Sequence, residues 1–184
     1  MRLDGPPSRR GILGRHPASP AVYLEAFDRL VAALPDACRR VYGGRLRSLA
    51  VFGSVARGTP RPDSDLDVLL VVDELPAGRR ARMAEFEAVD ALLEPLLAEA
   101  RASGVDTIVS PVLKTPTELE AGSLLFLDMV DEARILVDED GHLRKFLDAL
   151  GARLAAAGAQ RVRKAGGYYW VLAPNFRWGD RIEL

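Results

Sequence analysis

The sequence predicts an α+β (α/β) domain in which helices pack on a β-sheet. Strand-like apolar segments alternate with amphipathic segments of helical period, which is typical of a sheet covered by helices. The 184 residues are 48% hydrophobic, enough to bury the core of one domain. Two of the strand-like segments, 48–52 and 65–72, flank a short polar stretch that carries the most informative residues of the chain.

Each predicted helix depends on apolar residues that recur every three or four positions. Pro35 is expected to end the first helix and Pro95 to interrupt or restart the third, because proline lacks the N–H that a helix interior uses. Thr117 and Glu120 have the spacing of a capping box, which predicts a helix start. Helices are therefore predicted over residues 20–34, 36–42, 79–101, 118–131 and 142–157.

Each predicted strand depends on a short apolar run bounded by turn residues. Gly43 and Gly44 lead into the first of these runs, and Ser103 and Gly104 precede the third. Strands are predicted over residues 48–52, 65–72, 106–113, 133–137 and 168–172. Residues 1–19, which are rich in Pro, Gly and Arg, are expected to form an N-terminal arm.

The composition excludes several classes of protein. The 25 basic and 26 acidic residues nearly cancel, so no strong net field attracts nucleic acid or an anionic membrane. Cys38 is the only cysteine, which excludes an internal disulfide and a cysteine metal cluster. No run approaches the roughly 18 apolar residues that span a bilayer, and the first residues lack a signal-peptide core. We therefore expect a cytoplasmic protein with no membrane association.

Two carboxylates, Asp65 and Asp67, form the candidate metal site. Alternate side chains of a strand share a face, so these two project together with Cα atoms roughly 6.5–7 Å apart. Carboxylates so placed suit Mg²⁺ or Mn²⁺, hard cations that take oxygen ligands from protein, water and phosphate. The alternative interpretation is an ordinary polar turn over residues 62–65, but it gives no reason for a second Asp inside an apolar strand.

A candidate phosphate site precedes these carboxylates. Gly53 lets the backbone approach a phosphate closely, Ser54 adds a hydroxyl donor, and the following short helical stretch presents free N–H groups. Other motifs fit less well. The Lys of a Walker A loop is missing between Gly58 and Thr59, and Ser54 lacks the preceding glycine of a nucleophile elbow.

The segments 52–58 and 64–70 resemble the nucleotidyltransferase superfamily, which includes DNA polymerase β, the minimal nucleotidyltransferases and the aminoglycoside adenylyltransferases. The resemblance implies a polymerase-β-like fold with a mixed sheet flanked by helices. In this interpretation residues 20–138 form the nucleotidyltransferase domain, and residues 139–184 form a C-terminal helix and strand extension packed on it. The superfamily pattern also implies a third carboxylate, for which Asp106 is the candidate; Asp106 as a turn residue, with Ser110 at that position, remains the alternative.

The resemblance further implies an activity: transfer of a nucleoside monophosphate, AMP, from a nucleoside triphosphate, ATP, to an acceptor hydroxyl. The catalytic and metal-binding residues would be Asp65, Asp67 and Asp106, and the nucleotide-binding residues Gly53, Ser54 and Arg57. The acceptor could be a protein, an RNA or a small molecule. The binding partner could be a second copy of this chain or a HEPN-like protein. The alternative is a catalytically weak or inactive nucleotide-binding module, or an antitoxin-like partner-binding module, of the same fold.

A nucleic-acid interface is a third hypothesis. Basic residues recur near the C-terminus, and the aromatic residues Tyr168, Tyr169 and Trp170 could stack on bases. The competing interpretation is a solvated helix face and a packed strand, which fits the same spacings. The basic residues concerned are Arg144, Lys145, Arg153, Arg161, Arg163 and Lys164.

Overall fold

The structure is a computed structural model that describes residues 19–164, 167–172 and 174. The predicted N-terminal arm, apart from Ser19, lies outside these residues. The described helices are Pro20–Tyr42 (α1), Gly53–Ala56 (α2), Arg79–Ala102 (α3), Pro116–Glu120 (α4), Phe126–Glu132 (α5) and His142–Ala156 (α6). The described strands are Leu46–Val51 (β1), Leu66–Val72 (β2), Val109–Lys114 (β3), Arg134–Asp138 (β4), Gln160–Lys164 (β5) and Gly167–Val171 (β6).

The main sheet is mixed and has the strand order β3-β2-β1-β4. Strand β1 pairs antiparallel with β2 and β4, whereas β2 and β3 run parallel. In this register Asp67 lies directly beside Ser110 of β3. A mixed sheet flanked by helices confirms the predicted fold class.

Strand β2 is the centre of the core and is buried on both faces. Val68, Leu70 and Val72 pack against a cluster that includes α1 and α3, while Leu69 and Val71 pack against α4, α5 and α6. Burial on both faces explains why the strand reads as a continuous apolar run. The sheet is therefore the middle layer between two layers of helices.

Two prolines lie inside helices, contrary to expectation. Helix α1 continues through Pro35 to Tyr42, and α3 continues through Pro95 to Ala102. Proline removes one hydrogen bond from a helix, and burial of the flanking turns offsets that loss. The residues buried on either side of the prolines are Val31, Leu34, Ala37 and Cys38 in α1, and Leu93 and Leu97 in α3.

The predicted helix over 118–131 is two helices, and its start was misplaced. The capping box joins Thr115 and Glu118: the Glu118 N–H donates to Thr115 Oγ1 at 3.2 Å, and the Thr115 N–H donates to Glu118 Oε2 at 3.0 Å. Helix α4 ends at Glu120, and α5 begins only at Phe126. The prediction placed the box two residues late because Thr117–Glu120 has the same spacing.

Strand β3 is an edge of the sheet, and its outer side is partly blocked. The Leu66 N–H donates to the Ile108 carbonyl at 2.9 Å, so the backbone N–H and carbonyl groups of every second residue from Ile108 point toward β2. The backbone groups of the residues between them, which include Pro111, point away from the sheet. Proline is tolerated there because no partner uses its missing N–H. The outward carbonyl of Leu113 accepts a hydrogen bond from Arg82 at 3.2 Å.

Arg82 also binds Glu118 through two hydrogen bonds of 2.6 and 2.9 Å. The Arg82 guanidinium, followed by the Thr115 N–H, lowers the pKa of Glu118 from 4.5 to about 2. A carboxyl group whose pKa is lowered in the folded state stabilises the fold at pH values above its ordinary pKa. That contribution is lost as pH falls from about 4.5 toward about 2.

We expect Glu118→Gln to destabilise the fold at about pH 7 and to have little effect near the lower end of that range. The oxygen of Gln can keep the capping box, whereas the charge and one of the two hydrogen bonds from Arg82 are lost, so the difference measures the Arg82–Glu118 ion pair. Because 39% of the Glu118 side chain is exposed, screening limits the expected difference to about 1 kcal/mol. Urea denaturation of both proteins at about pH 7 and about pH 2 measures it; an equal difference at both pH values would contradict the expectation.

Helix α6, which follows β4, packs on the same sheet. Asp138 accepts hydrogen bonds from the N–H groups of Leu143 and Arg144, at 2.9 and 3.0 Å, and so caps α6. The buried Ser48 of β1 donates to the same carboxylate at 2.8 Å. The predicted closing strand is β6, which pairs with an unpredicted strand, β5, in a separate two-stranded sheet.

Candidate active site

The two candidate metal ligands lie at the start of β2. Asp65 is exposed and directly precedes the strand, while Asp67 is its second residue and is half-buried. The backbone holds this end of the strand in place, because the Phe52 N–H donates to the Asp67 carbonyl at 3.0 Å. The loop after β1 therefore lies against Asp67, as the spacing of the two motifs predicted.

Gly53 brings that loop against the Asp67 carboxylate. Its φ is +71°, a conformation that favours glycine, and a Cβ at this position would lie 2.4 Å from Asp67 Oδ2. Any side chain at position 53 would therefore strain the backbone and displace the carboxylate. Gly53 is required here for two separate physical reasons.

The electrostatics of Asp67 are those of a carboxylate that lacks enough positive charge. Burial raises the pKa of Asp67, and the neighbouring Asp65 raises it further. Arg57 and a hydrogen bond from Ser110 lower the pKa of Asp67, but their combined effect is smaller. A cation shared with Asp65 would relieve both destabilising effects.

This donor set fits a hard divalent cation. Both ligands supply carboxylate oxygens, one is open to solvent for water and phosphate ligands, and the other is held by the sheet. Asp65 and Asp67 are the residues that would hold Mg²⁺ or Mn²⁺.

Asp106 is not grouped with these carboxylates. Among residues 19–164, 167–172 and 174, no three Asp, Glu, His or Cys side chains lie together so that they could hold a metal ion. Asp106 is exposed, and its N–H donates to the Pro62 carbonyl at 2.8 Å. The strand predicted to begin there begins at Val109. The residue of β3 beside Asp67 is Ser110, and a catalytic role for Asp106 stays a prediction.

The short helix α2 carries the candidate phosphate-binding residues. Gly53 and Ser54 are its first two residues and are partly exposed. The Arg57 N–H donates to the Gly53 carbonyl at 3.2 Å, and the Thr59 N–H donates to the Ser54 carbonyl at 2.9 Å. These bonds complete the turn and leave the first N–H groups of the helix without helical acceptors.

Arg57 has a partner that the sequence did not reveal. Its guanidinium donates to Glu132 of α5 at 2.8 Å, and the other oxygen of Glu132 binds Arg161 of β5. Glu132 is only 11% exposed, so the two arginines enclose it. No local pattern could have signalled this contact, because its members lie far apart in sequence. It joins the loop beside Asp67 to the C-terminal hairpin.

None of the described helices combines the length and apolar character needed to cross a membrane.

Comparison with known proteins identifies the family of the chain. The model of the nucleotidyltransferase domain family matches residues 32–118, which include β1, α2, β2 and β3. A toxin–antitoxin crystal structure with AMP-PNP aligns over 73% of this chain and 92% of its own at 15% identity. Its TM-score of 0.41 is too low to support an inference.

Two relatives are more similar to this chain in sequence than the protein in that crystal structure is. A Methanocaldococcus jannaschii protein that carries the name protein adenylyltransferase is 30% identical over 115 residues, which is 61% of this chain and 73% of that protein. The protein adenylyltransferase MntA of Thermococcus cleftensis is 32% identical over 74 residues, which is 40% of this chain and 68% of that protein. The family model covers the segment that carries the paired carboxylates and the glycine-containing turn. Together with the similarity to these two relatives, this match shows that the chain belongs to the nucleotidyltransferase superfamily and is an NTP-dependent nucleotidyltransferase.

Proposed function

We propose that this protein transfers AMP from ATP to a hydroxyl group of another protein, with Mg²⁺ or Mn²⁺ held by Asp65 and Asp67. The observation that carries the proposal is the contact between Gly53 and the Asp67 carboxylate, which sets the phosphate-binding turn against the metal ligands. The relatives that carry the name protein adenylyltransferase support a protein acceptor and an adenylyl group. The cytoplasmic location and the homodimer or HEPN-like partner stay predictions.

The reaction replaces a phosphoanhydride bond of the nucleotide with a phosphoester bond to the acceptor. The acceptor oxygen bonds to the α-phosphorus, the bond from that phosphorus to the bridging oxygen breaks, and pyrophosphate leaves with the electron pair. The acceptor proton passes to a base, the role that we assign to Asp106. Gly53 and Ser54 bind the outer phosphates and align the α-phosphorus. The bound divalent ion supplies positive charge to the triphosphate.

The test is transfer of label. Purified protein is incubated with each α-labelled nucleoside triphosphate, Mg²⁺ or Mn²⁺ and a cell lysate, and the labelled products are separated. We expect label from ATP on a protein band that protease removes and nuclease does not. Calorimetry of ATP binding with and without Mg²⁺ supplies a second measurement. An absence of metal-dependent ATP binding, together with no labelled product, would refute the proposal.

Replacement of Asp106 tests its assigned role as a base. If Asp106 accepts the acceptor proton, Asp106→Asn should lower kcat by about 10²–10⁴-fold and leave the affinity for ATP unchanged. Single-turnover label transfer and calorimetry measure the two quantities. Unchanged kcat would show that Asp106 is a turn residue and that Asp65 and Asp67 act without a third carboxylate.

The second candidate function is a nucleotide-binding or antitoxin-like module with weak or no chemistry. The observation that favours it is the position beside Asp67 on β3, which is occupied by Ser110 rather than an acid. This candidate predicts metal-dependent ATP binding without labelled product. The labelling experiment therefore separates the two functions.

A further inference from the structure

A basic cleft lies between the loop after α2 and the β5–β6 hairpin. Its volume is about 560 Å³, which is enough for a group the size of a triphosphate. We call it the hairpin cleft. The residues used below are Arg57, Glu132, Arg161, Arg163, Lys164 and Tyr168.

The hairpin cleft has a surplus of positive charge. Four cations line it against one carboxylate, Glu132, which already contacts both Arg57 and Arg161. Arg163 and Lys164 are exposed, and within the described part of the chain neither side chain has a hydrogen bond or ion pair. Two cations in a concave site that lack an acidic partner among the described residues indicate an anionic ligand.

The strand register places Arg163 on the face of the hairpin that borders the cleft, whereas Lys164, the last residue of β5, starts from the opposite face and still lines the cleft. Arg161 pairs with Trp170 and Arg163 pairs with Tyr168, and cross-strand partners share a face. That face is turned toward α5, because Trp170 donates to Asp128 at 2.8 Å and Arg161 contacts Glu132. Arg163 therefore extends from the same face toward the loop that carries Arg57.

The hairpin cleft and the metal site share the loop after β1. Arg57 lines the cleft, and its N–H donates at 3.2 Å to the carbonyl of Gly53, the residue that closely approaches the Asp67 carboxylate. The triphosphate of the proposed reaction must lie beside Asp67, and its outer phosphates carry most of its charge. Through Arg57, the loop beside Asp67 also borders the surplus positive charge of the hairpin cleft.

We propose that the hairpin cleft binds the polyphosphate of the nucleotide and that Arg163 and Lys164 bind the two phosphates that leave as pyrophosphate. This inference rests on the proposed function. The hairpin lies outside the segment 32–118 that matches the family model, so these two residues are a feature of this chain rather than of the matched domain. When the bond to the α-phosphorus breaks, negative charge accumulates on the leaving pyrophosphate, and the two cations stabilise it.

A polyphosphate fits better than a nucleic acid. The Arg161 guanidinium lies 3.6 Å from the centre of the Tyr168 ring and so covers one face of it, and Trp170 is engaged with Asp128. Neither of these rings therefore offers the open stacking platform that single-stranded nucleic acid uses, and the exposed Tyr169 pairs with Val162 and lies on the other face of the hairpin. The charges are also gathered at one cleft rather than spread along a track.

The test measures binding of inorganic tripolyphosphate and pyrophosphate to the full chain with Mg²⁺. Arg163→Ala and Lys164→Ala should each weaken tripolyphosphate binding about tenfold in calorimetry and raise the inhibition constant of pyrophosphate by a similar factor. Arg163→Lys should recover part of the affinity. Arg144→Ala is the matched control, because Arg144 is exposed on α6 and does not line the cleft.

Unchanged tripolyphosphate affinity in the Arg163→Ala, Lys164→Ala double variant would overturn the inference, and so would an equal loss in Arg144→Ala. Competition by a single-stranded oligonucleotide at the affinity of tripolyphosphate would also overturn it in favour of a nucleic-acid site. Circular dichroism establishes that each variant is folded. Because this binding needs no acceptor, a wild type that binds tripolyphosphate but transfers no label would contradict the proposed function and leave the cleft assignment supported.

Discussion

Asp67→Asn is expected to reduce AMP transfer by at least about 100-fold. This is the effect typically found when an enzyme loses one electrostatic contact to the transition state. The same change should not destabilise the protein in EDTA. Burial and Asp65 raise the pKa of Asp67, so in the absence of metal its ionised form costs stability at neutral pH. Asparagine removes that charge at nearly the same size. Label transfer and thermal unfolding in EDTA measure the two effects.

Asp63→Asn is the control for this prediction. Asp63 is exposed, lies two residues before Asp65 and contacts Arg61 at 3.3 Å. A surface ion pair of this kind contributes little, so the variant should keep both activity and stability. If Asp67→Asn retained full label transfer, or lost it only in proportion to a fall in melting temperature, Asp67 would not be a metal ligand.

Gly53→Ala is expected to destabilise the protein by about 1–2 kcal/mol and also to abolish metal-dependent ATP binding. The loss of stability follows from the positive φ of +71°. The loss of binding follows from the added Cβ, which would overlap Asp67 Oδ2 at 2.4 Å and push the carboxylate out of place. Denaturant unfolding and calorimetry with ATP and Mg²⁺ measure these effects.

Gly58→Ala separates the two causes. Gly58 has nearly the same backbone strain, with a φ of +70°, but a Cβ there would have no atom within 4 Å. It should lose a similar amount of stability and keep ATP binding. Equal loss of binding in both variants would show that strain in the loop, rather than contact with Asp67, explains the effect at Gly53.

The sequence was sufficient to predict where the candidate site residues Gly53 and Asp67 lie in the fold, because the signals for those positions are local. The apolar run of β2 is buried on both faces, so its boundaries and the position of Asp67 follow from side-chain alternation. The turn at Gly53 follows from the adjacent strand and the glycine itself. These features depend on residues less than about 20 positions apart.

The remaining features depend on contacts between distant segments. The position of the capping box was ambiguous because two overlapping residue pairs have its spacing, and helix α1 passes Pro35 because its buried face outweighs one lost hydrogen bond. The contact of Glu132 with Arg57 and Arg161 has no signature in the sequence. The same is true of β5, whose alternating charges do not look like a strand until β6 pairs with it.

The interrupted outer edge of β3 limits how an acceptor polypeptide could bind there. Pro111 offers no donor, and the Leu113 carbonyl is already engaged by Arg82. An incoming chain therefore cannot extend the sheet at this edge by continuous main-chain pairing, a binding mode that depends little on peptide sequence. If the acceptor is a protein, as we propose, its selection at this edge would depend on side-chain contacts, which would restrict the number of targets.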